Sequence, residues 1–131
     1  MAASESYPDE LLYHSEHDWA RIDGDEATLG VTWYAQDSLG ELVHYEAPEE
    51  GSTVAKDQPY GEVESVKAVS DVIAPLSGEV LEVNQKVVDA PEIVNDDPYG
   101  DGWLIRIRLT ELSETDSLLD AAAYKQVVAE S

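Results

Sequence analysis

The chain has 131 residues, seven Lys and Arg against twenty-nine Asp and Glu, a formal net charge of -22 and no Cys. That length suits one domain with its own core, and 43% apolar residues argue against global disorder. The charge sets nucleic acid and anionic membrane aside as partners, since both repel a polyanion, and the lack of Cys removes disulfides, thiol nucleophiles and thiolate metal sites.

The opening MAASESYPDE has neither a basic nor an apolar region of the kind that directs secretion, and no apolar run nears the roughly 20 residues that span a bilayer. A soluble cytoplasmic monomer is expected. The acidity has two readings. One is an electronegative surface that meets basic faces on partner proteins. The other is adaptation to a salty cytoplasm, where screening shortens self-repulsion. With no Phe, the core must come from Val, Leu, Ile, Tyr and the three Trp.

Residues 1–10 are polar and expected to be flexible. Residues 18–22 and 27–31 read as strands around the turn Asp23-Gly24-Asp25, which makes a hairpin. Thr32 suits the cap of a short helix over 33–39, with Gly40 just past its end. β character resumes over 42–45, and the turn clusters PEEG and KDQP flank a short strand at 53–54. Over 61–66 the pattern alternates, with Val63 and Ser65 to one side and Glu62, Glu64 and Val66 to the other. A strand over 69–74 stops at Pro75, LSG at 76–78 turns, and 79–83 alternates again. NDDPYGDG at 95–102 reads as a loop before a strand over 103–109, with Arg106 and Arg108 on one face. The tail reads as a helix over about 114–129, with Leu119, Ala123 and Val127 in one stripe and Ser113 with Asp116 as a capping box. Short strands at near-regular spacing, punctuated by Gly and Pro, predict a mainly β sandwich or barrel.

Lys67, in EVESVKAVSD, is a scarce base set between two expected strands with the short neighbours Val66 and Ala68. That places its amine at a hairpin tip. The ordinary reading is a solvated turn lysine. A catalytic amine needs burial or a cationic neighbour, and the nearby charges here are the acids Glu64 and Asp71. The third reading is covalent attachment of a carrier cofactor.

Eleven residues on, Gly78 lies in APLSGEV. The K…A-P-x-x-G-x-V arrangement resembles lipoyl and biotinyl carrier domains, in which a modified lysine sits on a hairpin and the later glycine makes a tight turn. Val66 and Ala68 stand where biotin domains usually have Met, which disfavours biotin. ESVKAVSD with IAPLSGEVLEVN, YHSEHDWARI, GVTWYAQDSLGELV and NDDPYGDGWLIRI resemble the glycine cleavage H-protein family, in its order, over about residues 11–110. The AAAY segment ending at Tyr124 fits the end of that family as well.

The resemblance implies a barrel-sandwich hybrid of the lipoyl-carrier kind, as a single domain over 11–131 with a short internal helix and a C-terminal helix. It implies lipoate in amide linkage on Lys67, which removes the lysine charge. Such a chain is a carrier rather than an enzyme. It accepts an aminomethyl group from glycine at a pyridoxal-phosphate-dependent decarboxylase and passes the methylene to a tetrahydrofolate-dependent aminomethyltransferase. A dihydrolipoamide dehydrogenase using FAD and NAD then reoxidises it. A lipoate ligase or lipoyl transferase would load it. Glu64, Val66, Ala68, Asp71 and Asp18 are the candidate surroundings of the arm; Asp71 matches an acidic cleft position and Asp18 stands where the family's H-E-W motif has Glu.

There are departures and decoys. Trp33 stands where Asp is common, and Ser38 where some members carry His. His14, His17 and His44 show no spacing that completes a metal site, and the loop at 95–101 lacks calcium-loop order. Trp19 and Trp103 read as buried core anchors. Two neighbouring readings share the attachment site, a lipoyl storage or relay protein and a lipoyl domain of a 2-oxoacid dehydrogenase. The HDW segment and the C-terminal helix argue against the second. A partner-binding sandwich with no prosthetic group is the reading from another class.

Overall fold

In the computed structural model, which describes residues 3–131, nine strands among the described residues form two sheets that do not close. One sheet runs β1 (Leu12–His14), β2 (Asp18–Asp23), β3 (Glu26–Val31), β9 (Ile105–Leu109), β8 (Gly78–Val83), β5 (Thr53–Val54). The other runs β4 (Leu42–Glu46), β6 (Pro59–Ser65), β7 (Val69–Ile73). Neighbours in both sheets are antiparallel. The helices are α1 (Trp33–Leu39), α2 (Gln85–Asp89), α3 (Ile93–Asp96) and α4 (Ala121–Ala129), with a 3-10 turn at Leu112–Ser117.

Alternation decides what goes inside. Leu29, Tyr45, Val63, Val72, Ile105 and Ile107 point between the sheets and are enclosed. Burying each such side chain is worth about 1.5–3 kcal/mol before entropy is counted. The opposite faces take the charges. Arg106 on β9 reaches Glu26 on β3 and Glu82 on β8, and Arg108 reaches Glu79. A second cluster of Leu11, Tyr13, Trp19, Ala121 and Tyr124 seats α4 on β1 and β2.

The hairpin around Gly24 and the α1 cap form as the sequence predicts. Gly24 has φ 64°, and Thr32 Oγ1 accepts the N–H of Ala35 at 3.3 Å. Residues 3–10 lie against the body. The indole N–H of Trp33 donates to the carbonyl of Ala3 at 2.8 Å, and the hydroxyls of Tyr99 and Tyr13 donate to the carbonyls of Ser6 and Pro8 at 2.7 Å each.

Six expectations change. Asn95 and Asp96 belong to α3, so the loop begins only after them. The C-terminal helix starts at Ala121 instead of about 114, because Leu119 exchanges backbone bonds with Tyr13 and holds the chain extended there. Asp120 is the cap, accepting the N–H of Ala123 at 2.8 Å, while the hydroxyl of Ser113 donates to Glu111. The buried face of α4 carries Ala121 and Tyr124, and Ala123 is exposed. Gly78 does not turn at a positive φ; it opens β8, where a Cβ would strike the carbonyl of Arg108. Trp19 is buried as expected, but Trp103 is only partly so.

Candidate functional site

Val66, Lys67 and Ala68 join β6 to β7, and Val66 and Lys67 lie inside the pair formed by Ser65 and Ala68. Both have negative φ, because among non-glycine described residues only His17 and Asp57 are positive. A two-residue link of that kind cannot be the type I′ or II′ turn that normally closes a hairpin. Ser65 closes it instead. Its backbone N–H donates to the carbonyl of Ala68 at 2.8 Å. The return bond from the N–H of Ala68 goes to Ser65 Oγ at 3.2 Å, and the N–H of Lys67 donates to the same oxygen at 3.3 Å. The hydroxyl in turn donates to the carbonyl of Ala68 at 3.4 Å. Neither Ser65 nor this turn chemistry was singled out from the sequence.

Lys67 is exposed, and its ammonium makes no hydrogen bond or ion pair with any described residue. Val66 beside it is 87% exposed, and Ala68 is small. The stem of Lys67 runs past Gly40, whose φ of 85° suits only glycine; a Cβ built there would lie 3.8 Å from Lys67 Cε. A shallow cavity of about 220 Å³ lies between Lys67, Ser65 and the end of α1 at Leu39, with Glu41 just beyond it. These features fit an amide-linked arm: the side chain is exposed and its amine is unpaired among the described residues.

Pairing across the three-stranded sheet sorts the remaining candidates. Glu64 lies between His44 and Val69, and in the next row Asp71 faces Glu62, which faces Glu46. The hairpin therefore gathers Glu64, Val66, Lys67, Ala68 and Asp71. It does not bring Asp18 to them. Asp18 is 2% exposed on β2 and accepts the backbone N–H of Ile73, six residues from Lys67. At about 3.3 Å per residue that is about 20 Å of strand. Asp18 is no surface acid: burial first, opposed by the Ile73 bond, pushes its carboxyl well above the usual range. Nearby, the hydroxyl of Tyr60 is enclosed without a hydrogen-bond partner among the described residues.

The histidines stand apart. His14 Nδ1 accepts the N–H of Glu16 at 3.0 Å, so its Nε2 carries the proton toward Asp57, 2.6 Å away. That leaves no free nitrogen to activate a nucleophile. His44 is exposed on β4. His17, at φ 74°, bonds Tyr124 through Nδ1 and lies 4.6 Å, ring to ring, from Tyr34. Among the described residues no three His, Asp or Glu side chains are grouped to hold a metal, and no helix is long and apolar enough to cross a membrane.

A sequence model described as glycine cleavage H-protein matches residues 11–131. The chain is 49% identical over 117 residues to a glycine cleavage system H protein of Symbiobacterium thermophilum, covering 89% of this chain and 91% of that one. It is 52% identical to the Halorhodospira halophila protein of the same name, over 94% and 95% of the two chains. A probable glycine cleavage system H protein of Haloarcula marismortui shares 47% identity over 92% and 95%. The crystal structure of a glycine cleavage system H protein from Mycobacterium marinum superposes with a TM-score of 0.83 at 40% identity, over 92% of this chain and 97% of that one.

Proposed function

Since the chain belongs to the glycine cleavage H-protein family, we propose that Lys67 is its lipoyl attachment site and that it works as a carrier subunit without catalysis of its own. The observation that carries this reading is the exposed amine of Lys67, unpaired among the described residues, on the short link between antiparallel β6 and β7. Bound there, lipoate supplies a dithiolane that takes up an aminomethyl group from glycine and later yields it, the partner enzymes doing the hard chemistry with their own cofactors.

The residues of this chain prepare and shelter that group. Lys67 Nζ gives up a proton, attacks the activated carboxyl carbon of lipoate and becomes an amide nitrogen as the activating group leaves, so the tip loses its positive charge. Val66 and Ala68 keep the amine accessible. Glu64 and Asp71, with Glu62 and Glu46, present a negative face to basic surfaces of the partners. Those partners are a pyridoxal-phosphate glycine decarboxylase, a tetrahydrofolate aminomethyltransferase, a dihydrolipoamide dehydrogenase using FAD and NAD, and a lipoate ligase or lipoyl transferase. Asp71, exposed on the hairpin, is the proposed contact for the cationic end of a loaded arm, through a charge-assisted hydrogen bond. Asp18 is proposed as a second carboxyl for the arm, reached once Ile73 releases it.

Glycine–bicarbonate exchange by the decarboxylating partner tests the reading. The lipoylated chain should support it and the Lys67→Arg chain should not. A lipoylated chain that supports no exchange, yet is reductively acylated by a 2-oxoacid dehydrogenase, would assign the arm elsewhere.

A further inference from the structure

The tip that presents Lys67 lacks every ordinary device for closing so short a link. It has no glycine, no Asn or Asp and no residue of positive φ between Ser65 and Ala68. With φ negative at both positions the flanking strands tend to splay, and only one of the two backbone bonds of the closing pair is made, from the N–H of Ser65 to the carbonyl of Ala68. The N–H groups of Lys67 and Ala68 would be left without a protein partner. Both converge on Ser65 Oγ, at 3.3 and 3.2 Å. The oxygen has two acceptor sites and one proton, and all three are used, the proton going to the carbonyl of Ala68 at 3.4 Å. Ser65 is itself buried at 4% exposure opposite Leu42, so water does not readily replace it.

From this geometry we infer that Ser65 is a positioning residue for modification of Lys67. Its hydroxyl substitutes for the missing turn carbonyl and fixes the backbone from which the amine projects. The inference rests on the reading of Lys67 as the lipoyl site and adds a second residue to it, acting through the backbone rather than on the amine. Glycine in the link would also let the chain turn, but with added freedom. A serine at the strand end lets Val66 and Lys67 keep side chains while the link stays ordered. Without the hydroxyl the tip samples open forms, and the enzyme that loads lipoate meets the presentable form only part of the time. The apparent affinity then falls by that fraction, while the chemical step, once the amine is seated, is unchanged.

The experiment compares the parent chain, Ser65→Ala and Ser65→Thr as substrates of a lipoate ligase supplied with lipoate and ATP, with amide hydrogen exchange read on the same three chains before loading. Ser65→Ala should stay folded with a modestly lower melting temperature than the parent, exchange the Lys67 and Ala68 amides about tenfold faster, and show a KM about tenfold higher at nearly equal kcat, as loss of one well-placed acceptor implies. Ser65→Thr keeps the oxygen and should restore both readouts. A parent and a Ser65→Ala chain loaded with equal KM overturn the role, as does a Ser65→Ala effect confined to kcat or left in place by Thr. A parent chain that the ligase leaves unmodified sinks the lipoyl reading and this role with it. Equal loading of the parent and the Ala variant sinks this role alone.

Discussion

The hydroxyl of Tyr124 on α4 sits 2.8 Å from His17 Nδ1 and 2.7 Å from Thr32 Oγ1. One phenol thereby ties the C-terminal helix to the β1–β2 turn and to the cap of α1, whose C-terminal end lies beside Lys67. Tyr124 is fully buried and stacked on Tyr13 at 4.7 Å, so the ring packs whether or not its oxygen is present. Tyr124→Phe should keep that packing and leave two polar atoms without their partner. The expected loss is about 1–3 kcal/mol, read as a lower urea midpoint at unchanged m. An unchanged midpoint would mean that the phenol only fills space.

Asp18 should give the fold an unusual pH dependence. Its folded carboxyl titrates well above the unfolded value of about 3.9, because burial disfavours the charge. Between those two values the folded chain holds one proton more than the unfolded chain, so stability falls as pH rises through the window. His17 works on the acid side: burial lowers its folded pKa, so stability is lost as pH falls below the unfolded value of about 6.5. Asp18→Asn removes only the first effect. The stability difference between Asn variant and parent should grow as pH rises above about 4, until the folded carboxyl ionises, at up to about 1.4 kcal/mol per pH unit. Parallel curves would show that Asp18 is ionised inside the fold.

The acidic surface predicts a salt response. Glu46, Glu62 and Asp71 lie side by side across three strands, and like charges directly opposite destabilise a sheet. With a net charge of -22 behind them, screening should help. The melting temperature should climb between about 0.05 and 1 M salt, as the Debye length falls to about 3 Å. A flat profile would mean that the repulsion is already offset within the fold.

Much of this architecture was legible from local chemistry. Thr32 and Gly40 bracket α1 because a cap oxygen and a left-handed glycine act within one turn of chain. The faces of β6 follow from alternation alone, with Val63 and Ser65 inside and Glu62 and Glu64 outside, and Val66 just past its end is exposed as well. What escaped depends on partners distant in sequence. Helices α2 and α3, of five and four residues, are too short to show a period. Ser113 and Asp116 have capping-box spacing, but pairing of Leu119 with Tyr13 moved the cap to Asp120 and the helix start to Ala121. Asp18 sits in a run that is buried at every position, Asp18-Trp19-Ala20, so alternation could not reveal it. At the site, the lysine and its neighbours were readable, whereas Ser65 looked like one more inward strand residue until its hydroxyl was seen to close the turn.

If Asp71 holds the cationic end of a loaded arm, Asp71→Asn should weaken one charge-assisted hydrogen bond and hasten ammonia loss from the loaded chain. About three- to tenfold is the expected change, with lipoylation of Lys67 unaffected. Equal rates of ammonia loss would leave Asp71 as part of the acidic face only.

The central claim concerns one nitrogen. The direct measurement is intact mass and peptide mapping of the chain after incubation with a lipoate ligase, lipoate and ATP. The account predicts a gain of one lipoyl group, lipoic acid less water, confined to the peptide that contains Lys67 and absent from Lys67→Arg. A chain left at its original mass by an active ligase, or one modified on another lysine, would contradict it.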